Sequence, residues 1–113
     1  MASLVTAIIK RSRLTPVREA LDSIGVTGLT VYEVNGYGRQ GGQTETYRGV
    51  EYKLDFVQKT RLDMVVPTDK VEQVLDTVAE AARTGNIGDG KMWVVDLARV
   101  VRIRTGEEGE SAI

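Results

Sequence analysis

The sequence contains neither cysteine nor histidine, and it has two prolines, one phenylalanine and one tryptophan. Without cysteine the chain forms no disulfide bond, thiolate nucleophile or zinc–cysteine site. Without histidine it lacks the commonest general base at neutral pH and the commonest metal ligand. Composition therefore excludes catalysis of the Ser-His-Asp or zinc-hydrolase kind.

Neither sign of charge is in excess, since 15 Lys and Arg stand against 16 Asp and Glu. A nearly neutral chain has no basic face for bulk capture of nucleic acid. An aromatic content of 5 % also argues against a surface on which bases stack. Cations are nevertheless concentrated between residues 91 and 104, which favours a local site for a small anion.

The length of 113 residues, with 42 % hydrophobic and 27 % charged residues, indicates one globular domain over residues 1–113. No apolar run approaches the roughly 20 residues of a membrane helix. The first residues, Met-Ala-Ser-Leu, lack the features of a signal peptide. We expect a cytoplasmic protein without direct membrane insertion.

Apolar periodicity predicts four strands and two helices. The first helix is expected to start with Thr15 as N-cap and Pro16 at its first position, and to stop at Gly25. The second is expected between the Pro67-Thr68-Asp69 cap and Gly85. The strands are predicted at 4–9, 28–38, 52–66 and 91–104, the last of which Asp96 can interrupt. The polar tail 105–113 is expected to be loose.

The order β-α-β-β-α-β predicts the α+β ferredoxin-like plait, an antiparallel sheet with both helices on one face. Its strands are rich in Val, Ile and Leu on both sides. We therefore expect oligomerisation to bury the other face. A monomer with a half-apolar sheet is the alternative.

The segment from Gly85 to Lys91 satisfies the phosphate-loop pattern G-x-x-x-x-G-K. Met92 stands where Ser or Thr would bind magnesium, and the order is helix to strand instead of strand to helix, so a P-loop NTPase is rejected. Backbone N–H groups of such a turn can still converge on an anion beside Lys91. The alternative is an ordinary helix end and turn.

Arg102 and Arg104, two residues apart, are expected on one face of the last strand, about 7 Å from each other. A phosphate chain between them suits guanidinium groups, which bind phosphate bidentately. A solvated strand edge balanced by Glu107 and Glu108 is the alternative. Because the glycine turn and the arginine pair lie at opposite ends of this strand, one ligand can use both only between neighbouring subunits.

Residues 38–52 form a polar segment too long for an ordinary hairpin loop. Tyr47 and Tyr52 favour a functional loop over disordered filler. At its root, Gln40 offers an amide oxygen that suits a hard cation such as Mg²⁺.

Several motifs resemble those of the PII nitrogen-regulatory signal-transduction proteins, over residues 4–113 without gaps. They are Gly36–Gln40, Tyr47–Tyr52, Asp55-Phe56, Thr84–Lys91 and Arg102–Glu107. The resemblance implies a homotrimer of ferredoxin-like subunits in which ATP and ADP compete for clefts between subunits. It implies a regulator of nitrogen metabolism, not an enzyme beyond very slow ATP hydrolysis.

The resemblance also implies a role for each matching residue. The nucleotide is expected at Thr30, Gly38, Arg39, Gly88, Asp89, Gly90, Lys91, Arg102 and Arg104. Mg²⁺ bridges the ATP phosphates and Gln40, and 2-oxoglutarate binds that ion with Gln40, Gly41, Gly42 and Lys59 around it. Loop 38–52, with Tyr47, Arg48 and Glu51, is expected to dock on ammonium transporters or nitrogen-metabolism enzymes, the former at the inner face of the membrane. Tyr52 matches a tyrosine that is uridylylated or adenylylated in the family.

Two other functions stay open at this point. One is a PII-like trimer that senses another small molecule or metal stress. The other is a slow ATPase, although the sequence offers no evident general base.

Overall fold

The computed structural model describes residues 1–37, 44–47, 50–53 and 56–113. Two helices and six strands are found in these ranges: β1 Ala2–Lys10, α1 Leu14–Ser23, β2 Thr30–Tyr37, β3 Thr44–Tyr47, β4 Val50–Lys53, β5 Phe56–Pro67, α2 Val71–Ala82 and β6 Gly90–Leu97. Strands β2, β5, β1 and β6 form one sheet in that order, with every neighbouring pair antiparallel. With β3 and β4 as an inserted hairpin, this is the predicted ferredoxin-like βαββαβ plait, and the prediction is confirmed.

The core lies between one face of the sheet and the two helices. Alternate residues of β1 and β5 point into it because successive side chains of a strand face opposite sides. The helices contribute Val17 and Leu21 from α1 and a stripe on α2. The buried apolar residues of the strands and of α2 are Val5, Ala7, Ile9, Leu62, Met64, Val66, Val74, Val78 and Ala82.

Helix α1 starts before its predicted cap, and helix α2 starts after its predicted cap. Arg13 is the N-cap of α1, and a 3₁₀ turn, Arg11–Arg13, leads into it, so Thr15 and Pro16 lie inside the first turn. Likewise a 3₁₀ turn, Thr68–Lys70, precedes α2. The predicted stop of α1 is correct, since Gly25 has a φ of +86° and Val26 N–H donates to the Leu21 carbonyl at 3.0 Å.

The third strand of the plait begins at Phe56, not near Tyr52. Tyr52 belongs to β4, which pairs with β3 in a separate two-stranded sheet. Part of the predicted long loop 38–52 is therefore a short hairpin.

The face of the sheet away from the helices is mixed in character. Trp93 and Val95 on β6 and Tyr32 on β2 are exposed there. Between them, buried Thr6 donates to Asp63 at 2.8 Å, and Arg61 donates to the same carboxylate at 3.2 Å. A subunit that covered this face would bury apolar side chains around a polar group whose hydrogen bonds are already made.

Candidate functional site

The turn between α2 and β6 is built on glycines in the left-handed region of φ. Gly85, Gly88 and Gly90 have φ values of +85°, +97° and +100°. Gly90 is also crowded, because a Cβ atom there would lie 1.7 Å from the Ile8 carbonyl oxygen. Side chains are thus excluded where the turn passes over the end of β1.

Asp89 closes this turn on itself. Its carboxylate accepts hydrogen bonds from the N–H groups of Thr84 at 2.8 Å and Gly85 at 2.9 Å, and from the Thr84 hydroxyl. The hydrogen bonds from Thr84 hold the pKa of Asp89 far below its usual range. Asp89 is therefore a carboxylate that shapes the turn and occupies the N–H groups of Thr84 and Gly85. A bound ligand anion would have to use N–H groups after Gly85 and nearby cations.

An Asp89→Asn variant should lose stability in a pH-dependent way. The pKa of Asp89 is depressed in the folded state, so its contribution is present above the pKa of about 3.9 in the unfolded chain and is lost as the pH falls towards the folded value. Urea midpoints of variant and wild type should differ most near neutral pH and converge as the pH falls below about 4. A difference that stays constant from neutral pH to pH 3 would contradict this role.

Lys59, the predicted 2-oxoglutarate residue, reaches this turn. Its side chain is buried, with 6 % of the residue exposed, and Nζ donates to the Gly88 carbonyl. Burial lowers the pKa of Lys59, Lys10 lowers it further, and Asp89 opposes both effects. A desolvated ammonium group hydrogen-bonded to a neutral carbonyl favours an incoming anion.

Two cavities flank this group of residues. One, of about 160 Å³, lies between the end of α2 and strands β1 and β6, and Asp89, Gly90 and Lys91 line it. The other, of about 230 Å³, lies over β2 and β5 and is lined by Lys59, Arg11, Glu33 and Gln58 among others. The predicted phosphate turn and the predicted 2-oxoglutarate residue thus each border a cavity.

The arginine pair is not on a strand, which corrects the sequence prediction. Strand β6 ends at Leu97, and Arg104 lies in an exposed turn. Arg102 Nη1 lies 3.4 Å from the Glu107 carboxylate, and its Nη2 donates to the Ile113 carbonyl at 2.8 Å. Strand β6 alone spans roughly 24 Å, so the arginines are far from the glycine turn of the same subunit, as the sequence predicts.

The tail is also more ordered than expected. A 3₁₀ turn, Gly109–Ala112, folds back on the chain, with Gly109 N–H donating to the Val100 carbonyl at 3.0 Å. Arg99 pairs with Glu108, and the N-terminal amine lies 3.4 Å from Glu110. The tail therefore contacts Arg99, Arg102 and the N-terminal amine instead of being loose.

Thr30, predicted at the nucleotide site, is exposed on β2 directly opposite Asp63 of β5. It shares the face that the helices leave uncovered with the group formed by Thr6, Arg61 and Asp63. Sequence reasoning did not predict this group, because the strand register that brings it together is not visible in the sequence.

Five predicted site residues and one loop residue lie outside the described residues: Gly38, Arg39, Gln40, Gly41, Gly42 and Arg48. The side chains of Tyr47, Glu51 and Tyr52 also lie outside them, although their strands are described. The described chain reaches the root of this segment at Tyr37 and Phe56, whose ring centroids are 5.5 Å apart.

Two further features concern the same described ranges, namely metal ligands and membrane spans. There, no three acidic side chains come together as a metal site. None of the helices described is long and apolar enough to cross a membrane.

Comparison with known families decides what this fold and turn belong to. The family model described as "Nitrogen regulatory protein P-II" matches residues 2–107. The chain belongs to the P-II family. The Escherichia coli K12 protein named nitrogen regulatory protein P-II 1 is 56 % identical over 109 residues, which cover 96 % of this chain and 97 % of that protein.

Further P-II relatives agree in sequence and in fold. The P-II protein of Klebsiella oxytoca is 55 % identical, again over 96 % of this chain and 97 % of that protein. A crystal structure of Arabidopsis thaliana PII bound to citrate superimposes with a TM-score of 0.82 at 40 % identity, covering 99 % of this chain and 92 % of that one. The resemblance seen in the sequence is confirmed, and this P-II chain is a regulatory protein, not an enzyme.

Proposed function

We propose that the protein is a homotrimeric regulator that binds ATP or ADP between its subunits and senses 2-oxoglutarate beside the ATP phosphates. In this proposal loop 38–52 changes shape with the bound ligand and controls ammonium transporters or other proteins of nitrogen metabolism. The protein is cytoplasmic and reaches the membrane only through such a transporter. The observation that carries the proposal is the buried Lys59 ammonium group against the Gly88 carbonyl.

In this proposal Lys59 contacts both the glycine turn and the bound effector. A residue that touches the turn through Gly88 is placed to respond to whatever the turn binds. An effector carboxylate would provide Lys59 with the counter-charge that a carbonyl lacks. The Arabidopsis relative was crystallised with citrate, a carboxylate ligand, which supports an effector of this chemical class.

The rest of the site follows from the charges. Lys91 lies on β6 opposite Ile8, on the face of the sheet that also carries Lys59, next to the glycine turn. Gln40 would hold Mg²⁺, which supplies positive charge between a triphosphate and a dicarboxylate. Arg102 and Arg104 of a neighbouring subunit would add guanidinium groups that one subunit alone cannot bring to this turn.

Calorimetry tests this proposal through the coupling between ligands. Mg²⁺ held by ATP and Gln40 would offset the repulsion between the triphosphate and the dicarboxylate. We therefore expect 2-oxoglutarate to bind well with ATP and Mg²⁺ and poorly with ADP, so that ATP and 2-oxoglutarate bind with positive coupling. Lys59→Met should weaken 2-oxoglutarate by about 100-fold, as expected for loss of a buried charged hydrogen bond, and leave ATP nearly unchanged.

Lys70→Met, an exposed lysine in the 3₁₀ turn before α2, is the matched control and should bind both ligands like wild type. If wild type binds no 2-oxoglutarate with either nucleotide, the effector assignment is wrong. That result would favour a P-II trimer that senses another small molecule.

A further inference from the structure

Arg102, one of the predicted nucleotide residues, has an acidic neighbour to which none of the roles above applies. Its Nη1 lies 3.4 Å from a carboxylate oxygen of Glu107. The two residues are also joined through the backbone, because Arg102 N–H donates to the Glu107 carbonyl at 2.8 Å. The fold therefore places a negative charge beside a guanidinium group that is expected to bind phosphate.

The chain between Arg102 and Glu107 is a tight turn that keeps the carboxylate in place. Gly106 N–H donates to the Arg102 carbonyl at 2.8 Å, and the φ of Gly106 is +73°. Directly after Glu107, Glu108 forms an antiparallel bridge with Val101. Because these backbone contacts lie on both sides of Glu107, its carboxylate stays near Arg102 even when the side-chain contact opens.

The contact between Arg102 and Glu107 matters less for stability than for a bound anion. The two side chains are 38 % and 44 % exposed, and ion pairs between exposed side chains add little to stability. A phosphate bound at Arg102 would meet the Glu107 carboxylate as well, and like charges repel. The repulsion grows with the charge of the ligand, and ATP carries one phosphate group more than ADP. Glu107 would therefore oppose ATP more than it opposes ADP.

We propose that Glu107 is a specificity-determining residue that sets the balance between ATP and ADP by offsetting the charge of Arg102. This inference rests on the proposed function, in which Arg102 reaches the phosphates at a neighbouring subunit. A site built from cations alone would favour the nucleotide with more phosphate charge. A carboxylate beside one of these cations reduces that preference, so that both nucleotides can compete for the site.

The test is Glu107→Gln, which keeps the size of the side chain and an oxygen that accepts from Arg102 but removes the charge. Calorimetry without Mg²⁺ gives the affinities for ATP and ADP, so that the two ligands differ by one phosphate group and not by a bound metal. The variant should bind ADP about threefold and ATP about tenfold more tightly than wild type does. The ratio of ATP affinity to ADP affinity should therefore rise by about threefold.

Glu110→Gln is the matched control, because it removes a tail carboxylate that lies 3.4 Å from the N-terminal amine instead of beside Arg102. It should leave the ratio unchanged. An unchanged ratio in Glu107→Gln, or an equal rise in Glu110→Gln, would overturn the inference. Weaker binding of both nucleotides by Glu107→Gln would overturn it too, because Glu107 would then help Arg102 to bind.

The proposed function fails in a different way. Wild-type protein that binds neither nucleotide would contradict the proposed function and this inference together. Wild-type protein that binds both, with a ratio that does not respond to Glu107→Gln, would contradict this inference alone.

Discussion

Gly90→Ala is expected to destabilise the fold by about 3 kcal/mol or more. The new Cβ atom would lie 1.7 Å from the Ile8 carbonyl oxygen and 2.8 Å from its carbon, both of them backbone atoms of the central strand. The φ of +100° adds strain for any residue with a side chain. Relief requires β6 to separate from β1 at this end, which also moves Lys91. Urea unfolding followed by the fluorescence of Trp93, the single tryptophan, measures the loss.

Gly85→Ala is the matched control in the same turn. Its φ of +85° is equally left-handed, but a Cβ atom there meets nothing within 4 Å. We expect it to cost about 1 kcal/mol, from backbone strain alone. Both variants should be compared at one protein concentration, because assembly contributes to apparent stability. Equal urea midpoints for the two variants would show that the contact with Ile8 does not restrict Gly90.

Removing both arginines of the pair should strongly weaken the binding of ATP and ADP. Hydrogen bonds to charged groups contribute about 1.5–3 kcal/mol each, so the Arg102→Ala, Arg104→Ala double variant should lose 100-fold or more in affinity. Arg104→Ala alone separates ligand binding from tail packing, since Arg102 also contacts Glu107 and Ile113. Calorimetry with each nucleotide gives the affinities.

Arg99→Ala controls for the loss of a cation from the same segment. Arg99 is three-quarters exposed and pairs with Glu108, so its removal should change neither affinity nor stability measurably. If Arg104→Ala binds nucleotides as tightly as Arg99→Ala does, the arginine pair is only a solvated surface feature.

Elements with a local signal were predicted well from the sequence. The buried stripe of α2 follows helical periodicity, since Val74, Val78 and Ala82 are spaced four residues apart. The left-handed stop at Gly25 is likewise local, because glycine adopts positive φ without strain. The N-terminal caps were wrong by a few residues because 3₁₀ turns before both helices leave no clear pattern.

The end of β6 could not be predicted, because it depends on another strand. Residues 98–104 continue the apolar and basic pattern, yet β6 stops at Leu97, which pairs with Ala2 at the start of β1. Beyond that point there is no β1 backbone left to pair with. The chain turns instead, Gly106 N–H donates to the Arg102 carbonyl at 2.8 Å, and the tail folds back.

The candidate site could be predicted only in part from the sequence, again because it depends on how distant strands pair. The glycine turn and Lys91 form one contiguous motif and could be found by inspection. The contact between Lys59 and Gly88 joins residues 29 positions apart, and that between Lys10 and Thr84 joins residues 74 apart. Both depend on the register of β1 with β5 and β6, which fixes Lys10 opposite Lys59 and Ile9 opposite Gly90.

The central claim is that one nucleotide site takes its glycine turn from one subunit and its arginines from the next. Mixing two weak-binding variants, Lys91→Ala and the arginine double variant, tests it most directly. In randomly assembled trimers from equal amounts of both, about one quarter of the interfaces would combine an intact turn with intact arginines. The account predicts that calorimetry then finds tight ATP sites at about one quarter of the wild-type number. Mixed trimers that bind ATP no better than their parents would contradict it, because the site would then lie within one subunit.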